Sequence, residues 1–112
     1  MPYEQKQLWI GMVEVRASNE KSEILGDTKG AFVNIVTWAS DSEHFKQNAE
    51  LIIRKLGGMF VAEVIDPEPV STRRARLHGK LDEAVEALVS RAEVNPKAII
   101  YGTFHTFEND NA

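Results

Sequence analysis

The stretch AFVNIVTWASDSEHFKQNAELIIRKLGGMFVAEVID (residues 31–66) predicts a strand, a helix and a second strand in direct succession. Its first nine residues are rich in β-branched and aromatic side chains, which favour an extended chain. The paired glycines Gly57 and Gly58 end the helix, because glycine adopts the left-handed conformation at low cost. The apolar face of this helix is formed by Phe45, Ala49, Ile52 and Leu56.

The start of this helix carries a capping pattern. Ser40 is followed three residues later by Glu43, and such a pair satisfies two unbonded N–H groups at a helix start. We therefore predict a helix over 41–56. The strand at 59–66 is expected to end at DPEPV, because proline cannot donate to a sheet ladder.

The segments on either side extend the pattern. LWIGMVEVRA (8–17) predicts a strand, joined to strand 31–39 by a polar connection at 19–30. A second amphipathic helix is predicted at roughly 80–92, and AIIYGTFHTF (98–107) is predicted to be the last strand. The order of elements is therefore ββαβαβ.

This order predicts a single α+β domain over residues 1–112. Each strand–helix–strand unit implies a right-handed crossover that returns to the same sheet. We expect a two-layer α/β sandwich, in which two helices cover one face of a four-stranded mixed sheet, related to ferredoxin-like folds. Residues 107–112 are expected to form a frayed polar tail.

Composition excludes several classes of function. The chain has no cysteine, which removes disulfides, thiolate metal sites and thiol nucleophiles, and no cofactor is expected. Its net charge of −4 disfavours a general nucleic-acid binder, since such proteins carry an excess of positive charge. The sequence has no secretory signal pattern and no apolar run of membrane-spanning length, so we expect a cytoplasmic, acidic protein without a membrane partner.

One face of the sheet is predicted to be an interface. The strands at 8–17 and 31–39 are apolar on both sides, and two helices on one face leave the other face uncovered. A large apolar patch often marks an interface, and twofold dimers are the commonest oligomers. The alternative is that the loop at 18–30 and the tail fold over this face. The interface residues proposed from the sequence are Leu8, Ile10, Met12, Phe32, Val36 and Trp38.

A cluster of basic residues in STRRARLHGK (71–80) precedes the second predicted helix. Arginines beside a helix start can hold a carboxylate or phosphate, so a small anion is a candidate ligand. The alternative is a solvated loop whose arginines pair with Asp66 and Glu68 upstream. The candidate anion-binding residues are Arg73, Arg74, Arg76, His78 and Lys80.

Catalytic candidates are weaker. His105, Tyr101 and His78 are the most plausible acid–base groups if a cavity lies beside them. DSEH (41–44) and HTFEND (105–110) do not predict a metal site, because their side chains are not set to converge on one ion.

The main functional prediction is a non-enzymatic interaction domain that dimerises or caps a partner protein, for example as an inhibitor or immunity-type protein. A small cofactor-independent enzyme, or a domain that binds an anionic ligand and uses His105 as acid or base, is the alternative.

Overall fold

The computed structural model describes residues 6–19 and 21–107, which form five strands and three helices. In chain order these are β1 (Gln7–Ala17), β2 (Gly30–Ala39), α1 (Ser42–Leu56), β3 (Met59–Pro69), α2 (Val70–Arg76), α3 (Glu83–Glu93), β4 (Ile100–Tyr101) and β5 (His105–Phe107). The chain is an α+β domain built on an open antiparallel sheet. Within the described residues, no helix is both long enough and apolar enough to cross a membrane.

The sheet has the strand order β3–β1–β2–β4, with β5 also paired to β2. β1 and β2 pair without interruption from Gln7 opposite Ala39 to Arg16 opposite Gly30. β3 pairs with the other side of β1, and the register shifts between Ile10 and Met12 and again between Glu14 and Val15. Every pairing between described strands is antiparallel, so the prediction of a mixed sheet was wrong. β2 and β3 do run in the same direction, but β1 lies between them.

Helices pack on both faces of the sheet, and the prediction of two helices on one face was wrong. α1 covers the odd-numbered side chains of β1 and β2, such as Val13 and Ile35. α2 and α3 cover part of the opposite side, where Ile10 and Val36 lie. The physical reason is that both strands are apolar on both sides, so burying them takes a helix layer on each. The sheet is thus the middle of three layers, and a relation to ferredoxin-like folds is not confirmed.

We call the two sides of the sheet the α1 face and the α3 face. The core on the α1 face includes Val13, Val15, Val33, Ile35, Phe45, Ala49 and Ile53. The core on the α3 face includes Ile10, Val36, Val70, Leu81, Leu88, Val89, Ala92 and Ile100.

The basic segment and the last strand also differ from the prediction. β3 continues through the prolines to Pro69, which an edge strand tolerates, and α2 follows without a loop. The predicted strand at 98–107 is two short strands, because the chain leaves β2 after Gly102, whose N–H still donates to Asn34, and returns at His105. Phe107 is buried in β5 and is not part of a tail; residues 108–112 lie outside the described part of the chain.

The cap of α1 lies one residue later than predicted. Asp41 is the N-cap, and its carboxylate accepts a 2.8 Å hydrogen bond from the main-chain N–H of His44. The Nδ1 of His44 in turn accepts a 3.0 Å bond from the main-chain N–H of Ser40. The arrangement resembles a capping box, with His44 in the place predicted for Glu43, but the side chain of His44 bonds Ser40, one residue before the N-cap. Asp41 takes the cap position because it is the last extended residue before the helix.

The connection between β1 and β2 packs on the α1 face. The hydroxyl of Ser22 accepts hydrogen bonds from the main-chain N–H groups of Ile24 and Leu25, and Leu25 is buried in the α1-face core. The main-chain N–H of Ser18 donates to the carbonyl of Gly58 at 3.0 Å. The described part of this connection therefore does not cover the α3 face, contrary to the alternative drawn from the sequence.

Candidate functional site

The α3 face is divided along the length of β1 and β2. All six predicted interface residues lie on this face, since they are the even-numbered residues of both strands. Ile10 and Val36 are fully buried beneath the helices and offer no surface to a partner. Leu8 and Trp38 are half-buried at one end, and Met12 and Phe32 lie at the other end. Two accessible regions therefore flank the helix layer.

The first region, which we call the open patch, lies beyond the helices. Pairing between β1 and β3 places Ile65 beside Met12 and Phe60 beside Arg16. The side chains of Met12 and Phe60 are 39% and 51% exposed, which is high for large apolar groups. The open patch consists of Met12, Glu14, Arg16, Phe32, Phe60, Glu63 and Ile65.

The charges of the open patch are unevenly paired. Glu14 accepts a 2.7 Å bond from the Nε of Arg16, whose guanidinium lies 5.0 Å from the centre of the Phe107 ring. Glu63 stands directly opposite Glu14, and like charges in that position repel. Glu63 is exposed and has no cationic partner in the described part of the chain.

The second region is a cleft of about 520 Å³ between α2 and α3, at the end of the sheet where β1 begins. Leu8 and Trp38 belong to the sheet, Val70 and Ala75 to α2, and Val89 to α3. The polar residues along the cleft are Gln7, Ser71, Arg74 and Glu93, and Gly79 completes the lining. We call this region the cleft.

Two polar contacts hold α3 beside the cleft. The indole Nε1 of Trp38 donates a 2.9 Å hydrogen bond to the main-chain carbonyl of Ala92. Arg74 of α2 bonds both carboxylate oxygens of Glu86 in α3, at 2.8 and 3.1 Å. Both contacts to Glu86 come from one nitrogen of Arg74, Nη1. The Nε and Nη2 groups of Arg74 have no hydrogen-bond partner within the described residues.

The other two arginines of the basic cluster converge on one carboxylate. Glu68 accepts 2.6 and 2.7 Å bonds from the two terminal nitrogens of Arg76, and a 2.6 Å bond from the Nε of Arg73. Arg73 also donates to the main-chain carbonyl of Asp66 at 3.1 Å. The hydrogen bonds from Arg76, opposed by partial burial and aided by Arg73, lower the pKa of Glu68 from 4.5 to about 2. The same contacts raise the pKa of Arg76.

The remaining residues of the basic cluster lie apart from these pairs. His78 and Lys80 are exposed in the connection between α2 and α3, and His78 has a left-handed backbone with φ of 58°. Neither side chain has a hydrogen bond to a described residue. Of the predicted anion-binding residues, Arg74 is the one that lines the cleft.

The structure does not bring the catalytic candidates together. Tyr101 pairs with Ile35 and packs on the α1-face core, 5.7 Å from the ring of Phe104. His105 pairs with Phe32 and is therefore on the α3 face. The sheet separates these two side chains, and His78 lies in the helix connection. Within the described ranges, no three His, Asp or Glu side chains are grouped so as to hold a metal ion.

Sequence reasoning missed the contribution of β3 to the open patch and of α2 to the cleft. The bulge at Ala62 and Glu63 interrupts the alternation of β3, so Phe60 and Ile65 share a face although they are five residues apart.

Comparison with protein-family models, with curated proteins and with solved structures gives no match to this chain.

Proposed function

We propose that the protein is a non-enzymatic interaction domain that forms a twofold dimer through the open patch. The observation that carries the proposal is the exposure of Met12 and Phe60, at 39% and 51%, beside half-buried Phe32 and Ile65. These side chains come from three strands of one face, and Glu14 and Glu63 lie between Phe60 and the neighbouring pair Met12 and Ile65. Burial of apolar surface is the main favourable term in association.

The charges of the patch suit a second copy of the same chain. Glu14 and Glu63 face each other, while Arg16 lies two residues further along β1, opposite Phe60. We place the twofold axis so that Arg16 of one copy lies near Glu63 of the other. This contact offsets the repulsion between the two carboxylates within each copy. The patch is small, so we expect dissociation in the micromolar range.

The test is the molar mass of the full chain measured by light scattering over a wide range of concentration. We expect a rise from 12.6 kDa towards twice that value as the concentration increases. Phe60→Glu replaces the most exposed apolar side chain of the patch with a third carboxylate and should keep the protein monomeric at every concentration. Glu63→Lys should weaken the dimer by placing lysine near Arg16 of the other copy.

The matched control is Leu51→Glu. Leu51 is 44% exposed on α1, outside the patch, and this variant should dimerise like the unmodified chain. A chain that stays monomeric at millimolar concentration overturns the proposal, as does a Phe60→Glu variant that dimerises normally. Circular dichroism confirms that each variant is folded.

The small size and the net charge of −4 support a narrower proposal, an inhibitor or immunity-type role. The lack of cysteine fits a cytoplasmic location, which is a proposal as well.

A further inference from the structure

We infer that the cleft between α2 and α3 binds a small amphipathic carboxylate, with its apolar part on the cleft floor and its carboxylate on Arg74. This site is separate from the open patch, because the buried part of the α3 face lies between them. The inference therefore does not depend on dimerisation.

The size and lining of the cleft suit a small ligand. A volume of about 520 Å³ falls within the range of small-molecule sites, which are mostly apolar with a few polar groups. Leu8, Trp38, Val70 and Val89 give apolar walls from the sheet and from both helices. An alkyl chain or a ring placed here is removed from water on several sides.

Arg74 supplies the recognition of a carboxylate. Arginine binds a carboxylate best through two parallel N–H groups, and Glu86 uses only Nη1. The pair of Nε and Nη2 is left to bind a second carboxylate. Arg73 and Arg76 each already use two nitrogens. Arg76 bonds Glu68 with both, and Arg73 bonds Glu68 with one and the main-chain carbonyl of Asp66 with the other.

The charge of the site favours one negative charge on the ligand. Among the described residues, Arg74 is the one cation that lines the cleft, and Glu86 already offsets part of its charge. Glu93, on the last turn of α3, also lines the cleft next to the bonded Ala92. A multiply charged phosphate compound would be repelled by the carboxylates of Glu86 and Glu93 and attracted by a single guanidinium. A monocarboxylate is therefore the better match.

The experiment is a titration with octanoate followed by tryptophan fluorescence. The chain has two tryptophans, and Trp9 lies on the α1 face, so the Trp9→Phe variant leaves Trp38 as the reporter in the cleft floor. Octanoate should change the Trp38 emission in a saturable way. Octanol and octylammonium, which have the same chain without the carboxylate, should bind more weakly.

Two substitutions give opposite expected effects. Arg74→Met keeps an apolar stem and should weaken octanoate binding by about tenfold or more, while leaving octanol binding unchanged. Glu86→Gln removes the competing carboxylate and should tighten octanoate binding by a few-fold. Arg91→Met is the matched control, because Arg91 is exposed on α3 and does not line the cleft.

Three outcomes overturn the inference. Octanoate produces no saturable change, or Arg74→Met binds it as well as the unmodified cleft, or octylammonium binds more tightly than octanoate. The last result would assign the cleft to cations through Glu93. The titration is repeated in the Phe60→Glu variant, in which dimerisation through the open patch is expected to be lost. This variant should bind octanoate with the same affinity.

Discussion

Trp38 and Ala92 are joined by a 2.9 Å hydrogen bond from the indole Nε1 to the main-chain carbonyl, which ties the end of β2 to the last turn of α3. The last carbonyls of a helix have no partner within it, and that of Ala92 also accepts a 3.2 Å bond from the main-chain N–H of Asn95, so Trp38 adds a further donor to this carbonyl. Trp9 follows Leu8, the residue that pairs with Trp38, and its indole differs in hydrogen bonding. Its Nε1 is buried and has no hydrogen-bond partner within the described residues.

This contrast predicts different costs for the same substitution. Trp38→Phe removes a hydrogen bond and should lower the free energy of unfolding by about 1–2 kcal/mol. Trp9→Phe removes an unsatisfied donor, so it loses only packing and should cost less than Trp38→Phe. Urea unfolding of both variants checks the order. A larger loss for Trp9→Phe would show that its indole N–H is satisfied in solution.

The Glu68 cluster predicts a loss of stability in acid. The pKa of Glu68 is about 2 in the folded protein and near the ordinary 4.5 in the unfolded chain. The carboxylate therefore contributes its full share of the free energy of unfolding above pH 4.5. Between pH 4.5 and 2 the unfolded chain takes up a proton at Glu68 that the folded protein does not, so this stabilisation is lost as the pH falls through that range. Glu68→Gln should cost about 1–3 kcal/mol at pH 7, reduced from the full shift because Arg76 is 57% exposed.

The measurement is urea unfolding of the unmodified chain and Glu68→Gln at several pH values between 2 and 7. The difference between them should shrink as the pH falls below 4.5. Glu23→Gln is the control, since Glu23 is exposed in the β1–β2 connection and has no ion pair within the described residues. A Glu68→Gln deficit that stays constant with pH would contradict a role for the carboxylate charge.

The adjacent glycines after α1 predict unequal sensitivity to alanine. Both have a positive φ, 81° at Gly57 and 73° at Gly58, which costs alanine about 1–3 kcal/mol. A Cβ at Gly58 would also lie 2.6 Å from the Cα of Ser22, whereas Gly57 faces open space. Gly58→Ala should therefore lower the melting temperature much more than Gly57→Ala, since the backbone must move. Equal shifts in calorimetry would contradict the close approach of the β1–β2 connection.

The position of the α1 cap predicts which first-turn residue matters. Asp41→Ala removes the carboxylate that caps His44 and should cost about 1 kcal/mol. Glu43→Gln should cost only a few tenths, through the helix dipole alone. Chemical denaturation of the two variants tests this assignment. A larger loss for Glu43→Gln would instead support the box predicted from Ser40 and Glu43.

The strand β1 and the end of helix α1 could be predicted from residues close together in the sequence. The apolar alternation of β1, with Trp9, Val13 and Val15 on one side, is confirmed by their packing on the α1 face. The helix ending at Leu56 is confirmed as well, since Gly57 and Gly58 stop it through their own backbone preference. These features depend on residues close in the chain, which is why periodicity and turn chemistry could predict them.

The layer arrangement depended on contacts between distant segments. Nothing near Leu88 or Val89 in the sequence tells which face of the sheet α3 will cover. The strands that are apolar on both sides did indicate that the second face is covered, but the prediction gave that role to a second copy or a partner. The short helix α2 was missed because its residues are mostly polar, and its arginines are balanced by Glu68 and Glu86 from two other elements. The cleft, and with it the distinct role of Arg74, follows from these distant contacts.

The irregular path of β3 has a consequence for how the chain behaves among other proteins. A long, regular edge strand would offer its free N–H and C=O groups to any extended peptide and could grow into an aggregate. The two register shifts against β1, the prolines at 67 and 69, and the exposed charge of Glu63 all interrupt that template. The edge is therefore a poor seed for fibre growth, and the chain can present apolar side chains on its sheet face without inviting strand-by-strand polymerisation.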